Sequence, residues 1–328
     1  MTSKLLDRTK FDRCMLEKAP LRDYGFHKIF DPTTEDGKQC IGFLLRSICG
    51  MVDVEIDALL PRRYEGEKGE KKTTESDIRI IVNKEYHVVI EMQLIATKEF
   101  LLRSGFYTAS EIANQLDSGE LHLELKQTIM ICLMDEVKFK EGKKGKYIRK
   151  SRMCDEDGEE RTGFPYVYDV YLGRLVNKEI DYSKYDVETI LAVFAQVMYN
   201  KDDEEIKSRI KEYIMKGEGV LMEGLDKIVD KVEYINNDQA SREELIADYW
   251  EYQMQMGIKR EYKNEGIEEG IQIGREEGIE IGKQEGIEIG VEKSIVSMSK
   301  NGYKESEIAT ALSLSLEYVC EVLREDNK

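Results

Sequence analysis

Asp77 and the run Glu91-Met92-Gln93 carry the side chains that hydrolytic metal chemistry needs. The segment 86–94 reads as a strand, so His87, Val89, Glu91 and Gln93 share one face and Val88, Ile90, Met92 and Leu94 share the other. The second face is apolar and must be buried. The first presents a carboxylate and an amide two residues apart. The segment 76–82 reads as a neighbouring strand, joined by the hairpin-length connection Asn83-Lys84-Glu85, which brings Asp77 within reach of Glu91. A carboxylate in an apolar strand is costly unless something positive offsets it. Two that converge repel, and a divalent cation removes the repulsion. Hard oxygen donors with retained waters suit Mg2+ or Mn2+. The spacing is equally compatible with Asp77 as a solvated turn residue and Glu91 as the ion-pair partner of Arg79.

These residues need elements around them. An apolar run from Ile41 to Ile48 has one-sided helical spacing, and 52–58 alternates as a strand. Pro61 and a charged loop from 62 to 72 follow. Residues 98–117 read as a helix with Phe100, Leu101, Tyr107, Ile112 and Leu116 among its apolar positions. The continuous apolar run 128–134 suits a strand buried on both faces, and 165–172 reads as another strand. This order predicts a mixed α/β domain, a central sheet flanked by helices. On the helix, Arg103 and Tyr107 are four apart and share a face. Arg103 there either binds a phosphate or forms a structural Arg–Glu pair. Lys28 is a second phosphate candidate or a solvated lysine, and Glu55 a third carboxylate or an exposed strand residue.

Beyond residue 185 the sequence turns helical. From 266 to 290 a glycine falls every fourth residue. On a helix such a stripe drifts about 40° per step, and each glycine costs about 1 kcal/mol relative to alanine. The expectation is a helix that needs a second copy against its glycine stripe, hence a homo-oligomer, with a flexible spacer as the other reading. The last 35 residues read as two short helices around Ser313, helix-turn-helix-like in outline. With four basic against six acidic residues after Ser294, packing or self-association suits them better than reading DNA.

The chain has 328 residues and a formal net charge of −17, with 41% hydrophobic and 35% charged residues. That balance supports a folded core and argues against nonspecific coating of nucleic acid, but a nuclease needs only a local basic cleft. The run Lys138, Lys140, Lys143, Lys144, Lys146, Arg149, Lys150, Arg152 is such a patch, although the acidic run 155–160 behind it also fits a self-neutralising hairpin. No segment approaches the ~20 apolar residues of a membrane helix. The first twenty residues are charged throughout, and the six cysteines show no CxxC. A cytoplasmic location with reduced thiols is expected. The three histidines show no HxxxH spacing, which leaves a zinc site little support.

The ordered set Asp23-Tyr24-Gly25-Phe26-His27-Lys28-Ile29-Phe30, Ser76-Asp77-Ile78-Arg79, Ile90-Glu91-Met92-Gln93, Arg103, Tyr107, Gln115-Leu116 and Gly119 resembles the motifs of the Rpn family of recombination-promoting nucleases, also described as PD-(D/E)XK nuclease family transposases. The motifs cover about residues 20 to 135, and the Glu/Gly-rich tail is similar to tails found there. The resemblance implies a restriction-endonuclease-like (PD-(D/E)XK) α/β core with a helical C-terminal extension, and metal-dependent cleavage of DNA. It implies that Asp77 and Glu91 hold Mg2+ or Mn2+, that Gln93 belongs to the catalytic set, and that Lys28, Arg103 and Tyr107 face nucleic acid. The wider superfamily has lysine where Gln93 stands and proline where Ser76 stands. An amide is no base, so Gln93 orients water or ligates through its carbonyl, and water activation rests on the metal. The expected organisation is a nuclease-like domain over 1–200, a helical segment over 201–256, the repeat over 257–293 as spacer or oligomerisation segment, and a small helical end over 294–328. Rival readings are an inactive DNA-binding or assembly protein that keeps the fold, and a nuclease directed at RNA.

Overall fold

Turn chemistry builds the hairpin that carries the two carboxylates. Asn83 and Lys84 adopt left-handed backbone, with φ of 51° and 58°. Short hairpin turns require this geometry, and it matches the right-handed twist of the flanking strands.

The computed structural model describes residues 16–64, 74–116, 124–137, 146–161, 163–200 and 203–326. Lys138, Lys140, Lys143, Lys144, Gly119, Cys14 and most of the charged loop after Arg62 lie outside them. The chain divides into two units, Met1–Tyr252 and Gln253–Lys328.

In the first unit, a short turn at Ala19–Leu21 leads into α1 (Asp23–Ile29) and α2 (Glu35–Leu44). Then come β1 (Ile56–Leu59), β2 (Ile78–Val82), β3 (Tyr86–Ala96), α3 (Lys98–Ala113), β4 (Gln127–Val137), β5 (Ile148–Ser151) and β6 (Tyr166–Tyr171). The helices α4 (Val187–Tyr199), α5 (Glu204–Lys216) and α6 (Leu225–Asn237) follow, and α7 (Gln239–Lys300) begins in this unit. The six strands lie in the order β1-β2-β3-β4-β6-β5. The first three pair antiparallel, β3, β4 and β6 pair parallel, and β5 closes the edge antiparallel.

The apolar run 128–134 lies in β4 with parallel neighbours on both sides, and every residue of it is buried. On β3, the pleat sends Val88, Ile90 and Met92 into the main core with Phe26 of α1, Phe43 of α2, Phe194 of α4 and Ile228 of α6. The opposite face buries Val89 with Met130, Cys132 and Met134 under Phe100 of α3. Residues beyond 204 contribute Ile210, Tyr213, Leu225, Ile228, Val232, Ile235 and Leu245 to the main core.

Two boundaries differ from the sequence pattern because side chains take over the backbone pairing. The strand expected over 52–58 begins only at Ile56. The Asn83 amide takes over the pairing of residues 53–55, accepting from the Glu55 N–H and donating to the Asp53 carbonyl, both at 2.8 Å. Helix α3 stops at Ala113 rather than 117, where the Gln115 side chain turns to Thr128 Oγ1 (2.9 Å) and the Lys126 N–H (2.7 Å). Helix α6, with Leu225, Ile228, Val232 and Ile235 on one buried stripe, falls within the helical segment expected over 201–256, and edge strand β5 was not anticipated.

In the second unit, α7 continues through all seven glycines to Lys300, with Ile271, Ile273, Ile279, Ile281, Ile287 and Ile289 exposed along it. Its end packs with α8 (Glu305–Leu312) and α9 (Leu316–Asp326) around Ile295, Ile308, Val319 and Val322. Ser313 caps α8 in left-handed backbone, φ 56°. Among the described residues no helix is long and apolar enough to cross a membrane, and the five cysteines are free thiols.

Candidate metal centre

Asp77 stands one residue before β2, and the register Ile78↔Ile90 carries on to set it beside Glu91. Each carboxylate accepts a backbone N–H from the other's strand segment. The Asp77 N–H donates to Glu91 Oε1 at 3.3 Å, and the Met92 N–H donates to Asp77 Oδ2 at 2.8 Å. Glu91 is 3% exposed. Burial first, then the neighbouring Asp77 charge, push its carboxyl up to about 8, against the Ser76 hydroxyl and the positive Arg103. Burial likewise raises Asp77, opposed by the Met92 N–H and by His27. The Asp77 charge acts on Glu91, and both carboxyl groups resist ionising. Buried oxygen donors in this state fit a hard divalent cation, whose charge removes both penalties.

Thr97 caps α3 by accepting from the Phe100 N–H at 3.4 Å. The helix lays Arg103 and Tyr107, one turn apart, over this face. The Arg103 guanidinium sits 5.3 Å from the Phe100 ring and 5.8 Å from the Tyr107 ring, and its buried Nε has no hydrogen-bond partner. The Tyr107 hydroxyl is raised by burial and then by the Glu91 charge. Gln93 lies two residues further along β3, partly exposed, opposite Met134.

Arg79 does not pair with Glu91. Its Nε and Nη2 donate to Glu111 Oε2 at 2.9 and 2.7 Å, and His87 Nδ1 lies 2.8 Å from Glu111 Oε1. This buried cluster bolts α3 onto β2 and β3. Burial raises the Glu111 carboxyl, but the His87 hydrogen bond and the Arg79 charge outweigh it and hold the group below its ordinary value.

Helix α1 supplies groups that motif spacing did not single out. Gly25 lets it pack on the preceding turn, because a Cβ there would collide with the Ala19 carbonyl. Arg22, buried, donates to Asp248 Oδ2 at 3.2 Å. So anchored, α1 points His27 inward, with Nε2 3.3 Å from Asp23 Oδ1 and 3.9 Å from Asp77 Oδ1. Lys28 is exposed on the rim of a cleft of about 400 Å3 that Asp23, His27 and Arg62 also line. Arg62 donates from Nε to the Ser76 carbonyl at 3.2 Å, and its charge acts on both Asp23 and Asp77. The four-residue step from Asp23 to His27 was the available signal. The same step, Arg103 to Tyr107 to Glu111, marked Glu111. Glu55 is exposed beside Asn83, at the end of β2 away from Asp77, so it does not join the carboxylates. A separate cavity of about 550 Å3 between α4, α5 and α6 holds none of these groups.

A family model described as PD-(D/E)XK nuclease family transposase matches residues 20–245. No curated protein and no solved structure matches the chain. The mixed six-strand sheet with helices on both faces fits that fold.

Proposed function

Because the chain belongs to the PD-(D/E)XK nuclease family transposases, we propose that it is a metal-dependent DNA endonuclease whose cuts promote recombination or mobile-element activity. The observation that carries the reading is the pair of partly buried Asp77 and buried Glu91, linked by the Asp77 N–H to Glu91 and the Met92 N–H to Asp77, and both held above their ordinary carboxyl range.

In this reading Asp77 and Glu91 hold Mg2+ or Mn2+. The bound cation supplies a more acidic water and offsets charge on the scissile phosphate. Arg103, on the same face and close enough to act on Glu91, receives a phosphate oxygen through its planar fork. Gln93 orients the attacking water through its amide without taking the proton. Tyr107 stacks near Arg103 and limits where its guanidinium points. Lys28 and Arg62 on the rim of the cleft meet the DNA backbone. The exposed isoleucines and glycines of α7 pack against a second copy, which makes the protein a homo-oligomer. The free cysteines suit a cytoplasmic setting.

The test is nicking of supercoiled plasmid with Mg2+ or Mn2+. Wild type should nick, and Asp77→Asn and Glu91→Gln should each lose nearly all activity while keeping the fold. Equal nicking by the variants would remove the site assignment. The substitution of glutamine for the superfamily's lysine favours the rival of an inactive, DNA-binding protein. DNA binding without nicking by wild type would establish that rival, and cleavage of single-stranded RNA alone would redirect the enzyme to RNA.

A further inference from the structure

The Asp77 carboxylate has two sides. Oδ2 is committed to the Met92 N–H. Oδ1 faces α1, where His27 Nε2 and Asp23 Oδ1 converge on it. One donor atom from each of the three residues lies within 4.8 Å of the other two. Octahedral bonds of about 2.1 Å set ligand atoms roughly 3 Å apart in cis positions and about 4.2 Å apart in trans, and the His27 separations of 3.3 and 3.9 Å fall in that range.

His27 distinguishes this cluster from an ordinary group of surface acids. Its Nε2 is buried and lies 3.3 Å from Asp23 Oδ1 and 3.9 Å from Asp77 Oδ1, between the two carboxylates. The ring is also fixed, edge-on to Phe26 at 6.0 Å and 72°. A cation between His27 Nε2 and the two carboxylates satisfies all three donors. The adjoining cleft gives that cation an entry path.

We propose that His27 Nε2 and Asp23 Oδ1 join Asp77 Oδ1 as metal ligands, so that α1 contributes half of the cation site and the site selects a divalent transition metal over Mg2+. The inference rests on the reading of Asp77 as a metal ligand and extends it beyond the carboxylate pair of the sheet. The physical reason for selection is the nitrogen. Imidazole adds affinity for first-row transition ions, whereas Mg2+ prefers oxygen donors and holds its waters. Asp23 sits at the open side, its side chain 72% exposed, so it closes the site from solvent.

The experiment is calorimetric titration of the full chain with Mn2+ and with Mg2+, and pulsed EPR of the Mn2+ complex for coupling to a ligand nitrogen. The variants are His27→Ala, Asp23→Asn, Asp77→Asn and Glu91→Gln. Asp23→Asn keeps an exposed side chain of the same shape, so it reports on the site even where His27→Ala perturbs packing. Wild type should bind Mn2+ about tenfold or more tighter than Mg2+ and show nitrogen coupling. His27→Ala should abolish the coupling and bring the two affinities together, and Asp23→Asn should weaken Mn2+ binding about tenfold. Absence of nitrogen coupling, with Mn2+ affinity unchanged in His27→Ala and Asp23→Asn but lost in Glu91→Gln, overturns this inference and leaves the Asp77–Glu91 centre standing. Mn2+ affinity lost in His27→Ala and Asp77→Asn but untouched in Glu91→Gln does the reverse. No Mn2+ binding by wild type, or binding that none of the variants changes, overturns both.

Discussion

Asp77 and Glu91 each occupy a hydrogen bond that involves the other's strand. Glu91 accepts from the Asp77 N–H at 3.3 Å, and Asp77 accepts from the N–H of Met92, the residue after Glu91, at 2.8 Å. The hairpin itself thus holds the two carboxyl groups close together.

That closeness gives a pH signature. Between the ordinary glutamate range and about pH 8, the folded metal-free chain keeps a proton on Glu91 that the unfolded chain has lost. The folded state binds more protons there, so stability falls as pH rises through that window, by at most about 1.4 kcal/mol per unit. In chelator at pH 8.5, Glu91→Gln should therefore melt several degrees above wild type, by about 5 °C, although it loses activity. A lower melting temperature would contradict the electrostatic account.

The same proton must leave when a cation binds. Affinity for Mg2+ or Mn2+ should rise up to about tenfold per pH unit below about 8 and level off above it. Calorimetry across pH 6 to 9 measures the slope, and a flat profile would remove Glu91 from the site.

Arg103 lowers the Glu91 pKa and is the assigned phosphate contact. Arg103→Ala should move the affinity profile to higher pH and weaken duplex binding about tenfold, read by fluorescence anisotropy with Ca2+ in place of the active metal. Arg103→Lys should restore the pH profile but not the full DNA affinity, because a lysine keeps the charge and loses the fork.

Glu111 holds Arg79 and His87 in a region where all three are buried. Glu111→Ala removes the buried carboxylate that Arg79 and His87 share and should cost about 3–5 kcal/mol in denaturant unfolding. Its carboxyl is held below the ordinary range, so its contribution is present above that range and is lost as pH falls through the folded value. Wild type should therefore destabilise in acid more steeply than Glu111→Gln.

The isoleucines of α7 are exposed from Ile267 to Ile289. A chain ending at Met256 should sediment as a smaller species than the full chain. Equal masses would place self-association elsewhere.

The α/β order and the β2–β3 hairpin were legible in the sequence, because strand alternation and turn chemistry act over a few residues. The four-residue spacing also brought Arg103 and Tyr107 together correctly. Other assignments needed long-range contacts. Lys28 carries the charge that a motif reading picks, yet its neighbour His27 faces the site, because the burial of Phe26, Ile29 and Phe30 sets the rotation of α1. The sequence offered Glu91 as a partner for Arg79, and only the docking of α3 brought Glu111 to it instead. The sequence alone determined which residues lie on which face of each strand and helix, since periodicity is a local property of the backbone. The tertiary structure decided which faces meet, and so which carboxylates stay unpaired at the site, because that depends on how elements far apart in the chain share one buried volume.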